Sequence, residues 1–441
     1  MASNTPILDF VRAYADADPA RLHMPGHKGV SILGCEPWDV TEIDGADALF
    51  EASGILRDSE RIASERFGAH TFYSTEGSSL CIRAMLALAV RRIVDRRARV
   101  LAPRNVHKTF LTAAALLDFE PVWLFGAGES RLCAAVTAAE IERALDGTID
   151  AVYCTTPDYL GNRCDVAAIA AVCRRHGVPL LVDNAHGAYL KFLSPAQHPI
   201  DLGADACCDS AHKTLPALTG AAYLHIAPDD RFGFAAEAKD ALALFASTSP
   251  SYLILQSLDA QNELLRDLPE RLRAFLPMAD ALRERLILHG YRCIGDEPQK
   301  ITVDARAFGY TGDALAAQLV ARGVYPEFHD PDFLVLMLSP WNTARDLTRA
   351  GDALLALHAK EPLPHPSFPM EKPETVLSVR AAMLGRRERL PAERCIGRVL
   401  AEPCIGCPPA VPIRMCGERI NEAAIAQFRY YGVESLTVAA E

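Results

Sequence analysis

No apolar stretch of this 441-residue chain runs long enough to cross a bilayer, and residues 1–9 carry neither a basic cluster nor an apolar run. Neither a membrane-spanning helix nor a signal peptide is therefore expected. Positive charge is in deficit: 45 Lys and Arg stand against 56 Asp and Glu, a formal net charge of -11. That balance argues against nucleic acid and anionic membrane surfaces as partners, and mildly favours a cationic small molecule. The sequence shows no internal repeat. Its 13 cysteines are scattered and odd in number, the usage of reduced thiols in a cytoplasm. Cys404-Ile405-Gly406-Cys407 is a lone CxxC, with Cys395 and Cys416 at wider spacing. The close second pair of a structural zinc site is missing, so no metal is expected. Half of the residues are hydrophobic and 23% are charged, a globular composition, and the length suits two or three domains.

What is present is a pair of apolar runs that end in polar clusters. Leu180-Leu181-Val182 leads into Asp183-Asn184-Ala185-His186, and Ala206-Cys207-Cys208 leads into Asp209-Ser210-Ala211-His212-Lys213-Thr214. Runs of this length are consistent with buried parallel strands. Ligands of open α/β sheets sit beyond the carboxyl ends of such strands, so Asp183, His186, Ser210, His212 and Lys213 are expected to face one crevice. A desolvated lysine can condense with an aldehyde, and a carboxylate on a pyridine nitrogen keeps that nitrogen protonated. The set suits pyridoxal 5'-phosphate. Taken singly, a surface lysine and a strand-end aspartate are the plainer readings; together, and in this order, they point to the cofactor.

Upstream, Gly77-Ser78-Ser79 precedes a strongly apolar helix through Leu80, Met85 and Leu88. Small residues at a helix start leave backbone N–H groups at the positive end of its dipole, a phosphate cradle, although a plain N-cap has the same look. Residues 99–102 read as a strand leading to His107, and 150–154 as another. Asp165 caps a helix with Val166, Ile169, Ala170 and Cys173 on its apolar face, and Gly177 and Pro179 end it. This alternation predicts an α/β fold with a doubly wound, mostly parallel central sheet.

Ser210-Ala211-His212-Lys213-Thr214-Leu215-Pro216-Ala217-Leu218-Thr219 resembles the cofactor-lysine segment of the bacterial ornithine/lysine/arginine decarboxylases. Val182-Asp183-Asn184-Ala185-His186-Gly187-Ala188 is similar to their Asp-Glu-Ala-His-Gly-Ala strand end, with Asn184 where Glu is usual. Pro25-Gly26-His27-Lys28 resembles a motif near their start, and Pro408-Pro409-Ala410-Val411-Pro412-Ile413 with Gly417-Glu418-Arg419-Ile420 resembles segments that end them. There Ala410 replaces a usual Gly and Cys416 a usual Pro. The resemblance covers nearly the whole chain and implies the short form, without a long N-terminal regulatory domain. It implies the aspartate-aminotransferase fold (fold type I) and a pyridoxal-phosphate-dependent decarboxylase of arginine, lysine or ornithine, yielding a polyamine-type amine in the cytoplasm as a homodimer. The implied roles are Lys213 as the cofactor lysine, Asp183 on the ring nitrogen, His107 stacked on the ring and His186 near it. Ala185 is small enough to let the ring lie flat. Gly77, Ser78, Ser79, Ser210 and His212 anchor the phosphate. Lys213, His186 and His107 are all candidates for returning a proton to the substrate carbon.

A substrate with a cationic end needs a carboxylate, and Glu42, Asp44 and Asp47 are candidates, ordinary surface charge being the equal alternative. The expected divisions are 1–50 as an N-terminal arm, 51–246 as the large cofactor-binding domain, 247–360 as a smaller α/β domain and 361–441 as a C-terminal segment after a proline-dense linker. Residues 253–288 read as helical with interruptions near Pro269 and Pro277. Two rivals remain at this stage. An aminotransferase or lyase of the same fold would need an arginine to clamp the substrate carboxylate; Arg380 and Arg386 are present but unmarked. A non-catalytic regulatory homologue is opposed by the intact Lys213, Asp183 and His107.

Overall fold

The apolar runs become strands in the computed structural model, which describes residues 3–125, 136–368, 372–403 and 413–440. Cys404, Cys407 and the 408–412 stretch lie outside the described residues, and so do the expectations placed on them. One sheet contains β1 (His70–Ser74), β2 (Arg99–Pro103), β3 (Glu120–Leu124), β4 (Ala151–Thr155), β5 (Leu180–Asp183), β6 (Ala206–Asp209) and β7 (Ala222–Ile226). Its order is β1-β7-β6-β5-β4-β2-β3. β5 and β6 are parallel, with Asp183 opposite Cys208, and β2 and β3 are parallel. β7 runs antiparallel to both β6 and β1. Every residue of β5 and β6 is buried, which is why both lack the polar alternation of a half-exposed strand. Among the described residues no helix is long and apolar enough to cross a membrane.

The chain forms two compact units. The first comprises Met1–Val94, Asp150–Tyr153 and Val166–Glu270. In it, helix Ile55–Phe67 ends on Gly68, whose φ of +61° closes the last turn. Helix Gly77–Val90 is buried almost all round, as its near-continuous apolar run requires. The second unit comprises Asp95–Ile149, Cys154–Asp165 and Arg271–Glu441. It holds an antiparallel sheet in the order β10-β11-β9-β8, made of β8 (Arg292–Ile294), β9 (Lys300–Asp304), β10 (Phe328–His329) and β11 (Phe333–Met337). Ile301, Val303, Leu315, Leu334, Leu336 and Leu354 form its core. Near the C-terminus β12 (Arg387–Pro391) pairs with β13 (Ser435–Ala439).

One expectation differs from the structure. The helical stretch breaks between Leu264 and Leu268, close to Pro269 as expected, but not at Pro277. Pro269 falls in the first turn of helix Leu268–Leu288, where an N–H has no helical partner to lose, and Pro277 lies inside that 21-residue helix without ending it.

Candidate active site

Asp183 closes β5 and is 2% exposed. The hydroxyl of Tyr153, on β4, donates to its Oδ2 at 3.2 Å. Its Oδ1 accepts from the Ala185 N–H at 3.2 Å and from the Cys208 thiol at 3.7 Å. Burial pushes the Cys208 thiol well above its ordinary pKa, with the Asp183 charge adding to the effect, so the sulfur keeps its proton and remains a donor. Lys213 sits in the short helical turn Ala211–Thr214 that follows β6, and its Nζ lies 3.0 Å from Nε2 of the buried His186. The amine donates here, which puts the neutral imidazole's proton on Nδ1. The two strand ends thus deliver an amine, an imidazole and a buried carboxylate within one unit.

Ser210 Oγ donates to Ser78 Oγ at 2.8 Å, tying the lysine segment to the start of helix Gly77–Val90. Gly77 has φ of +71°, and a Cβ there would meet nothing within 4 Å. The backbone angle, rather than space, asks for glycine. Glu76 is engaged elsewhere: its Oε1 accepts from the Ser247 N–H at 2.7 Å. The His212 ring is held on the backbone. Its Nδ1 faces the Ala221 carbonyl at 2.9 Å and must therefore carry hydrogen. Burial holds its pKa below the ordinary histidine value. The Ser78 and Ser210 hydroxyls stand at the start of helix Gly77–Val90, whose N–H groups are donors for an anion.

A second cluster lies just behind these residues, and sequence reading missed it. Asp209, directly before Ser210, is fully buried. Its Oδ1 accepts from Asn184 Nδ2 at 2.6 Å, while Oδ2 accepts from His198 Nε2 at 3.1 Å and His225 Nε2 at 3.2 Å. Burial acts to raise its pKa, but the two histidines outweigh it and hold Asp209 far below the usual carboxylate range. Asn184 follows Asp183 and Asp209 precedes the lysine turn, so this bond joins the ends of β5 and β6. His198, Cys207 and Asp209 place possible metal-ligand atoms within 4.8 Å of one another. In this arrangement the imidazole Nε2–H groups are spent on the carboxylate.

The three acidic candidates separate. Asp47 is buried and accepts from the N–H groups of Ala48, Ser53, Gly54 and Leu56 at 2.7–3.2 Å. It anchors a backbone turn and has no carboxylate face left for a substrate, which corrects the expectation for this residue. Glu42 and Asp44 are exposed, and Glu42 accepts from the Thr41 hydroxyl at 2.6 Å. In the second unit His107 is the N-cap of helix Lys108–Leu117. Its Nδ1 lies 2.8 Å from Thr109 Oγ1 and accepts from the Thr109 N–H at 3.3 Å, which orients the exposed ring and leaves hydrogen at Nε2.

The donor set of the first unit fits pyridoxal phosphate: an amine for the aldehyde, a buried carboxylate for the pyridine nitrogen, and hydroxyl and N–H donors at a helix start for the phosphate. Residues 5–286 match the model of the Orn/Lys/Arg decarboxylase major domain. The chain is 30% identical to an arginine decarboxylase of Halalkalibacterium halodurans, covering 96% of this chain and 93% of that one. It is 28% identical to an arginine decarboxylase of Bacillus subtilis, over 96% and 92%. A crystal structure of the Francisella novicida lysine decarboxylase superposes with a TM-score of 0.80 at 16% identity, over 98% of this chain and 79% of that one, which shows a shared fold. The chain belongs to the Orn/Lys/Arg decarboxylase family and is a pyridoxal-phosphate-dependent amino-acid decarboxylase.

Proposed function

We propose that this chain decarboxylates arginine to the corresponding amine, with lysine and ornithine as poorer substrates. The reading is carried by the contact between Lys213 and His186 in the same unit as the buried Asp183. The choice of arginine is supported by the two relatives that bear that name over nearly their full lengths. Bound at Lys213, pyridoxal phosphate supplies an electron sink for the bond to the leaving carboxylate. The chain's own residues do the rest. Asp183, held by Tyr153 and Cys208, offers an anion to the ring nitrogen. Ser78, Ser79 and Ser210 bind the phosphate, while His212 orients the lysine turn through Ala221. His186 takes or returns the proton of the Lys213 amine, and His107 covers the ring. Glu42 or Asp44 receives the cationic end of the substrate. Arg380 Nη1 donates to the carbonyls of Ala115 and Leu116, which ties its guanidinium to helix Lys108–Leu117.

We further propose a cytoplasmic homodimer. Release of carbon dioxide from arginine, lysine and ornithine tests the activity, and borohydride fixation of the cofactor tests Lys213. Faster release from arginine is expected, and no fixation in Lys213→Ala. Gas release from lysine alone reassigns the substrate; amine transfer to a keto acid without gas release refutes the reading. Sedimentation tests the dimer.

A further inference from the structure

The C-terminal motif Gly417-Glu418-Arg419-Ile420 reaches the segment that carries His107. Arg104 follows β2 and stands three residues before His107. Its Nη1 and Nη2 donate to Glu418 Oε1 and Oε2 at 2.6 and 2.8 Å, a bidentate pair with side chains 6% and 3% exposed. Glu418 Oε2 also accepts from the Met415 N–H at 2.7 Å. The guanidinium lies 5.8 Å from the Trp123 ring centroid and 5.1 Å from that of Phe125. Orientation, charge and stacking are therefore all fixed together.

The other end of the same helix is held from the same part of the chain. Helix Lys108–Leu117 begins at the His107 cap, and its last-turn carbonyls at Ala115 and Leu116 accept from Arg380 Nη1 at 2.8 and 3.2 Å. Arg380 belongs to helix Val379–Leu384, which packs on helix Lys108–Leu117. The Cys416 thiol donates to the Val379 carbonyl at 3.8 Å and joins that helix to the motif. One C-terminal assembly thus grips the His107 helix just before its first residue and at its last turn. A buried ion pair is poor evidence for added stability, because well-packed apolar residues often do as well; what it fixes firmly is geometry.

We propose that the C-terminal segment is a clamp that sets the position of His107, with Glu418, Arg104 and Arg380 as positioning residues for the decarboxylation. The proposal rests on the reading of His107 as a cofactor-facing residue. The test is a double-mutant cycle on the full chain, made of Glu418→Gln, His107→Ala and the pair together. It reads the dissociation constant of pyridoxal phosphate and the visible circular dichroism of the bound cofactor. Glu418→Gln is expected to weaken cofactor binding about tenfold and to diminish the dichroic band, and the double variant to be no worse than His107→Ala alone. Glu418→Asp, which keeps the charge, should fall between wild type and Glu418→Gln. Additive losses overturn the clamp, as does a lowered melting temperature with unchanged cofactor affinity of the folded protein. Where Glu418→Gln does not fold, Arg104→Lys removes the bidentate geometry and takes its place. If His107→Ala leaves the cofactor unaffected, the role of His107 fails by itself. Amide exchange over helix Lys108–Leu117 then decides on the clamp: faster exchange in Glu418→Gln keeps it, and unchanged exchange overturns it.

Discussion

Replacing Asn184 with aspartate puts the buried cluster behind the lysine turn to a quantitative test. The Asn184 amide donates to Asp209 across 2.6 Å, and neither side chain touches solvent. Asn184→Asp sets two carboxyl groups at that distance. Two anions so close would repel by about 6 kcal/mol even at an effective dielectric constant of about 20. The pair therefore keeps one proton that the unfolded chain releases near about pH 4. A carboxyl whose pKa is raised on folding contributes most below its unfolded value and loses that contribution as pH rises. The variant should lose about 1.4 kcal/mol of stability per pH unit, relative to wild type, until the native pair gives up its proton. Between about pH 5 and about pH 7 the accumulated loss is about 2.7 kcal/mol. Urea denaturation of both proteins across that range measures it. A difference that stays constant with pH refutes the shared-proton argument.

Asp330 gives the opposite design. Burial pushes its carboxyl up to about 6, although its Oδ1 accepts from the Asp332 and Phe333 N–H groups. The folded protein thus loses stability as pH climbs from about 4 to about 6, and Asp330→Asn should recover up to about 3 kcal/mol at neutral pH but nothing near about pH 4 in denaturant titrations. Equal gains at both pH values would exclude titration as the cause. For Asp47, burial alone would raise the pKa, but the N–H groups of Ser53, Gly54, Leu56 and Ala48 hold it below the ordinary value. Its stabilisation is present above the unfolded pKa and fades as pH falls through the folded one. Asp47→Ala is expected to cost about 2 kcal/mol at neutral pH and to leave the KM of the folded enzyme unchanged; a raised KM without loss of stability restores Asp47 as a substrate ligand.

The features legible in the sequence were those that local patterning controls. The apolar runs before Asp183 and Asp209 and the small residues before Leu80 announce strand ends and a helix start within a few positions of themselves. The Asp209 cluster carries no such mark, because His198 comes from a loop and His225 from β7, and only the β5-β6-β7 neighbourhood unites them. Tyr153 escaped for the same reason: nothing in β4 signals which side chain will reach Asp183. Asp47 misled because an acidic loop looks alike whether its carboxylates face water or close a turn on their own backbone. Pro277 misled because flanking turns on both sides sustain a helix that a single missing N–H interrupts only locally.

Arg104 and Glu418 are separated by 314 residues, so on a growing chain the guanidinium emerges long before its anion has been made. Burying it between Trp123 and Phe125 in the meantime would strand a charge without a counterion, at a cost of several kcal/mol. Arg104 is therefore expected to stay solvated until residue 418 has been made, and the turn before His107 to reach its final geometry only then.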